Sequence, residues 1–342
     1  MHMIALPAIS YVQTEDGKDI AYWKIGRGPL LILTPNVQLG HLRDEWSIPG
    51  MKQWFETLAR SFTVVRYDHR GGGLSNRSPG TQSIEALIKD IDSVASEVSP
   101  GSFILLGWIS GGLPAIAYAA RYPSRVSHLV LWSSFARDQS HGQAPRMKAL
   151  FEIAATDWEL FTETICQTAL GWSDADEARR WAMVMREGTT QAEFLAYLAD
   201  RRDWDVAADI PLINVPTLVL HDKHNALADE ANSRELAARI PGARFLHSSS
   251  NRGVPGRDTV TAINELVGLT EYDGAGLETL TDRERQVLAL VVEGASNIEI
   301  GERLFISINT VTRHLTHVYA KTGTKNRVQA ARYALESGLG DP

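Results

Sequence analysis

A single cysteine, Cys166, stands in a chain of 342 residues. No intramolecular disulfide framework can form, which suits a reducing compartment. No apolar run approaches the roughly 18 residues that a membrane-crossing helix requires. The opening MHMIALPAIS lacks a basic segment followed by a long apolar one, so no secretory leader is read. Basic residues are outnumbered by acidic ones, and the net charge of −7 argues against bulk affinity for nucleic acid. No metal-binding or cofactor motif stands out. These absences imply a cytoplasmic chain without membrane partner, cofactor or metal, large enough to bury a core unaided and to form about two domains.

Short apolar runs alternate with helical stretches over residues 10–135. PLLILTP (29–35), FTVVRYD (62–68), SFILLG (102–107) and VSHLVLWSS (126–134) read as strands, each ending where a loop residue appears. SIEALIKDIDSVASEV (83–98), with Ser83 as N-cap, and LPAIAYAARYP (113–123) read as helices. Apolar strands separated by helices indicate a mainly parallel sheet covered on both faces. Residues 136–206 break the rhythm with several aromatic-bearing helices, a candidate lid. Strands return at 215–222 and 243–249, with helices at 231–241 and 258–269. TEYDGAGLET (270–279) has the composition of a linker.

The remaining residues, 280–342, carry four short helices. TDRE (281–284) and SNIE (296–299) fit the capping box, in which the first side chain and the Glu satisfy free backbone donors. Gly294 and Gly338 fall at C-cap positions. A helix near 297–304, the turn Phe305–Ile306–Ser307 and the helix INTVTRHLTHVYAKT form a helix-turn-helix pattern. On the second helix Val311, Leu315, Val318 and Thr322 share the inward face. Thr312, Arg313, Thr316, His317 and Lys321 share the other, which suits either a DNA major groove or a solvated surface.

The stretch LTDRERQVLALVVEGASNIEIGERLFISINTVTRHLTHVYAKTGTKNRVQAA resembles the DNA-binding domain of LuxR-type transcription regulators over essentially its full length. The resemblance implies that Thr312, Arg313 and Thr316 face bases, that His317 and Lys321 lie near phosphate, and that the helix from Asn326 onward dimerises on DNA. With Thr310 these form the expected DNA-contacting set, and double-stranded DNA and a second copy are the expected partners. Family members often carry Lys where this chain has Thr312 and Thr316, so nonspecific affinity and its salt dependence should be lowered.

RYDHRGGGLSNR (66–77), LLGWISGG (105–112), AARYPSRVSHLVLWSS and VPTLVLHDKHNALADE together make residues 10–269 similar to the α/β-hydrolase superfamily. The expected fold is thus an α/β-hydrolase-like sheet with a helical lid over 1–269, a linker at 270–279, and a small all-α helix-turn-helix domain over 280–342. That superfamily holds its nucleophile in G-x-S-x-G on a sharp strand-to-helix turn. Matching Gly107 and Gly111 to the two glycines puts Ile109 at the nucleophile position, where a β-branched residue is a poor occupant of positive φ. The resemblance likewise places Asn225 at the acid position and Gly253 at the histidine position. No catalytic residue is then expected. The enzymatic alternative, an ester or lactone hydrolase, needs Ser110 with His247 or His224 and Asp222, all off their expected places. Asp68 reads as a structural carboxylate bonding loop amides.

Such a cleft would be lined by Asn36, Val37, Trp108, Ile109, Ser110, Trp132, Phe135 and Asn225, with Trp158, Trp181 and Met185 closing over it and Trp172 and Met183 as further lid candidates. Its expected occupant is a small apolar or aromatic effector. The sequence therefore reads as a ligand-responsive DNA-binding regulator with a non-catalytic hydrolase-like domain. A third reading, an oligomerisation or partner-binding module, would be favoured by a cavity below roughly 300 Å³.

Overall fold

The computed structural model describes residues 6–36, 40–77, 80, 82–138, 145–170, 172, 174–225, 227–248, 250–251, 254–269, 280–322, 324 and 326–336. They fall into two compact units, Leu6–Leu269 and a second within Thr270–Pro342. No helix among the described residues is long and apolar enough to cross a membrane.

The larger unit is built on eight strands: β1 (Ser10–Gln13), β2 (Asp19–Gly26), β3 (Leu30–Thr34), β4 (Thr63–Tyr67), β5 (Phe103–Trp108), β6 (Val126–Trp132), β7 (Thr217–Asp222) and β8 (Arg244–Ser248). Their order is β1-β2-β4-β3-β5-β6-β7-β8. An antiparallel edge, β1 and β2, precedes a parallel run from β4 to β8. The parallel strands lie where the apolar runs predict. The edge pair, more polar and half exposed, gave no such signal.

Helices α1 (Pro49–Leu58), α2 (Ile84–Val98) and α3 (Gly112–Arg121) follow β3, β4 and β5. Ser83 caps α2, its side chain accepting from the Ala86 amide at 3.2 Å. α4 (Pro145–Thr156), α5 (Trp158–Ala169), α6 (Ala175–Gly188) and α7 (Gln191–Asp200) form the insertion after β6; α8 (Glu230–Arg239) and α9 (Arg257–Val267) complete the unit. Both faces of β5 are buried, so the sheet separates two apolar clusters. After β3 the chain turns to β4 on one side of it, and β5 lies on the other. This switch point opens a crevice at the carboxyl ends of β3 and β5.

The smaller unit holds α10 (Asp282–Val292), α11 (Asn297–Leu304), α12 (Ile308–Thr322) and α13 (Arg327–Glu336) around its own apolar cluster. Both predicted capping boxes form, at Thr281/Glu284 and Ser296/Glu299. Gly294 takes φ 86°, as a C-cap glycine does. Gly338 and the segment 270–279 lie outside the described residues.

Candidate functional site

The crevice at the switch point is shaped by a tight turn. β5 ends at Trp108, Ile109–Gly111 make a single 3₁₀ turn, and α3 begins at Gly112. A side chain at Gly107 would stand 2.6 Å from the Gly112 Cα, and one at Gly111 would overlap the carbonyl oxygens of Pro35 and Thr34. Both glycines of the elbow are thus fixed by backbone approach. Between them Ile109 adopts φ 52°. A β-branched residue thus occupies the left-handed region at a local penalty of about 1–2 kcal/mol. Its side chain packs against both core clusters and lines the cavity.

That cavity measures about 130 Å³. This is below the roughly 300 Å³ at which drug-sized sites begin and close to the roughly 150 Å³ of an apolar cavity that accepts benzene. Asn36, Trp108, Ile109, Ser110, Trp181, Met185 and Asn225 line it as the sequence suggested. Val37 lies outside the described residues, as does Gly253. Three expected lining residues are placed elsewhere. Trp132 packs against Trp108 at 5.2 Å and donates its indole N–H to Ser248 Oγ. Phe135 is buried in the core. Trp158 stacks on Phe161 at 5.4 Å within the insertion. Trp172 and Met183 are exposed. In the wall instead are Met147, Phe151, Ile165, Cys166, Leu170 and Phe194 from α4 to α7, with the charged side chains of Glu45 and Arg201. Two charges beside an apolar space leave no hydrophobic signature in a sequence. The aromatic spacing of the insertion marks helices without telling which face meets the cavity.

Each of those charges is matched. Arg66, fully buried, forks onto Glu45 through Nη2–Oε1 (2.6 Å) and Nε–Oε2 (3.2 Å), with Asp68 Oδ1 at 3.4 Å. Asp68 Oδ2 accepts from the Leu42 and Leu74 amides at 3.2 and 2.9 Å, so it is the structural carboxylate its loop motif implied. Burial raises its carboxyl to about 6. Arg201 pairs with Asp138, and both are nearly fully buried. From Arg201 a hydrogen-bond relay crosses the crevice. Its Nη1 donates to Tyr197 OH (2.9 Å), Tyr197 OH donates to Ser110 Oγ (3.4 Å), and Ser110 Oγ donates to Asn36 Oδ1 (2.6 Å).

Ser110 is 1% exposed. Of the imidazoles considered beside it, His247 Nε2 sits 3.1 Å from the Glu230 carboxylate on α8. The His224 amide donates to Asp222 Oδ1 within its own loop. Asn225 Oδ1 accepts from the Leu227 amide at 3.0 Å. Cys166 donates to Met185 Sδ at 3.5 Å, and burial pushes its thiol up to about 12.

On the smaller unit Val311, Leu315, Val318 and Thr322 are buried, as the helical spacing predicts. Thr312, Arg313, Thr316 and His317 are exposed. The threonine hydroxyls donate to the helix itself, Thr312 to Ile308 O and Thr316 to Thr312 O, both at 3.0 Å. Thr310 shares the helix-capping turn with Ser307. Lys321 Nζ is 2.7 Å from Glu284 Oε2, and His317 Nδ1 is 3.5 Å from Oε1. Two residues expected near phosphate therefore lean on one nearly buried carboxylate. The turn before α12 is close: a Cβ on Gly301 would meet Ile306 O at 2.8 Å, and Phe305 takes φ 54°.

Comparison with known proteins separates along the same line. The family described as serine aminopeptidase, S33 matches residues 51–248, and that of bacterial regulatory proteins, luxR family, matches residues 278–334. A Mycobacterium tuberculosis protein provisionally named an HTH-type transcriptional regulator is 35% identical over 147 residues, 33% of this chain and 17% of that one. The oxygen regulatory protein NreC of Staphylococcus aureus is 36% identical over 85 residues, 24% of this chain and 39% of its own. The chain thus spans well under half the length of either relative. Among solved structures, a hydrolase from Pseudomonas aeruginosa superposes with a TM-score of 0.61 at 25% identity, covering 76% of this chain and 98% of its own.

Proposed function

Since this chain belongs to the serine aminopeptidase S33 family of α/β-hydrolase folds and carries a luxR-family helix-turn-helix domain, we propose that it is a DNA-binding transcription regulator whose hydrolase-like unit senses a small molecule instead of cleaving one. The sensor comprises residues 1–269, the linker 270–279 and the DNA-binding domain 280–342. One observation carries the reading: Ile109 occupies the tip of a fully kept elbow at φ 52°. The fold retains the strained geometry that presents a nucleophile, and a hydrocarbon stands there. Asn225, which the resemblance matches to the acid position, lines the same cavity and supports the reading.

The chemistry left is binding. The cavity takes an apolar or aromatic molecule of roughly single-ring size, held by hydrophobic burial and a few polar contacts. On the DNA side α12 enters the major groove with Arg313 reading guanine, while Thr312 and Thr316, their protons committed to the helix, offer methyl groups and acceptor lone pairs. A homodimer places two such helices about one DNA turn apart, and ligand changes the population of the spacing that fits. The test is a mobility shift of the full chain on DNA upstream of its own and neighbouring genes, with and without small-molecule extracts. Specific retardation that an extract alters is expected. Failure to bind any fragment under either condition overturns the reading.

The cavity's size favours one alternative, a partner-binding module whose pocket its own side chains nearly fill. That version predicts extract-independent DNA binding. The hydrolase version, using Ser110, predicts ester or lactone turnover that Ser110→Ala abolishes.

A further inference from the structure

Two carboxamides, Asn36 and Asn225, stand in the cavity wall. Asn36 Oδ1 accepts from Ser110 and Asn225 Oδ1 from the Leu227 amide, so each oxygen already has a protein donor and the Nδ2 hydrogens are what each carboxamide can donate. Trp108 lines the same wall with its ring, while its indole N–H is fully buried and has no acceptor among the described residues. An indole N–H and an amide NH₂ donate and cannot accept. The charges bordering the space are already balanced, Glu45 by Arg66 and Arg201 by Asp138. A ligand charge would thus remain unmatched in a largely apolar enclosure.

Resting on the sensor reading above, we infer that the cavity selects a neutral, single-ring-sized molecule bearing a carbonyl-type hydrogen-bond acceptor, read by the amide hydrogens of Asn36 and Asn225. The Asn at position 225 then has a positive role: where an Asp would offer only acceptors, it supplies a donor. The relay from Arg201 through Tyr197 and Ser110 ends on Asn36 and polarises its amide, strengthening that donor. The ligand sits against Ile109, Trp181 and Phe194 with its oxygen toward the β3 and β7 loops. Carboxylates, ammonium ions and plain hydrocarbons of the same size are disfavoured.

The test titrates the full chain with three probes of matched skeleton, acetophenone, ethylbenzene and benzoate, followed by ligand-observed NMR. Acetophenone should bind about tenfold more tightly than ethylbenzene, the effect of a well-placed hydrogen bond, and benzoate more weakly than either. Asn36→Leu and Asn225→Leu should each shrink the ketone-to-hydrocarbon ratio, whatever they do to hydrocarbon affinity itself; two variants guard against one that fails to fold. Equal binding of ketone and hydrocarbon, or preference for benzoate, overturns the inference. If none of the probes binds yet extracts alter DNA retardation, this ligand chemistry is wrong and the sensor reading stands. If extracts have no effect either, both fall.

Discussion

Each unit places a large apolar side chain in the left-handed region at a tight turn, and the two do different things with it. Ile109 (φ 52°) heads the elbow and packs against both core clusters. Phe305 (φ 54°), between α11 and α12, is 94% exposed and packs on almost nothing. In the first the strain accompanies burial at a cavity; in the second the backbone of a tight turn alone sets the conformation. The larger unit has a hydrolase's frame with an isoleucine at the tip of its elbow. The smaller one keeps both its frame and a surface able to meet DNA. Close backbone approach dictates the frame in both turns, whatever side chain stands at the tip.

The largest effect that separates the units should come from Gly111→Ala. The new methyl overlaps the Pro35 and Thr34 carbonyls, which belong to backbone and cannot swing away. A loss of about 3 kcal/mol or more is expected in the larger unit. Chemical denaturation should show its transition moving and that of the smaller unit staying put. A common shift would mean the two unfold as one.

Next in size, Arg313→Ala on the exposed face of α12 should weaken specific DNA binding by about 1–3 kcal/mol and relax preference at one base position. Fluorescence anisotropy on a selected operator measures it. The same change should leave probe binding in the cavity untouched.

Acid sharpens the contrast further. Burial holds the His69 imidazole down to about 3, its Nε2 3.2 Å from Pro35 O. A base whose folded value lies below its unfolded one stabilises fully above that unfolded value, about 6.5, and loses this as pH falls toward 3. In the smaller unit Glu284 is held below its usual range by Lys321 and its capping hydrogen bonds, against burial, which raises it. Its contribution is present above about 4.5 and lost below. Wild type should therefore lose more stability than His69→Gln between pH 7 and 5, while Glu284→Gln matters only in stronger acid. The difference with His69→Gln isolates this group from Asp68 and Asp90, which burial raises to about 6 and which act in the opposite sense. Equal slopes for wild type and His69→Gln in thermal melts across that range would contradict it.

The smallest effect bears on the strained turns themselves. Phe305→Gly should stabilise the smaller unit by up to about 1 kcal/mol, since glycine removes the positive-φ penalty and little burial is lost. Ile109→Gly relieves the same strain but removes a packed side chain, so the larger unit should lose stability.

Strand and helix alternation, the capping boxes at Thr281 and Ser296, the Ser83 cap and the inward face of α12 were legible because each rests on local periodicity or a fixed offset. So was the elbow, whose two glycines mark a backbone approach. The cavity wall was legible only in part. Trp158 and Phe194 look alike in sequence and both pack on Phe161, and only the packing of four helices brings Phe194 and not Trp158 to the cavity. Glu45 and Arg201 escaped because a buried charge is stabilised by a partner distant in sequence: Arg66 lies 21 positions from Glu45, and Asp138 lies 63 from Arg201. The Glu284 contacts of His317 and Lys321 were hidden for the same reason.

An elbow tipped by Ile109 should leave Ser110 unreactive. Treating the full chain with a fluorophosphonate and mapping adducts by mass spectrometry, with Ser110→Ala as control, tests it most directly. The account predicts no adduct at Ser110; a stoichiometric adduct there, absent from the control, would contradict it.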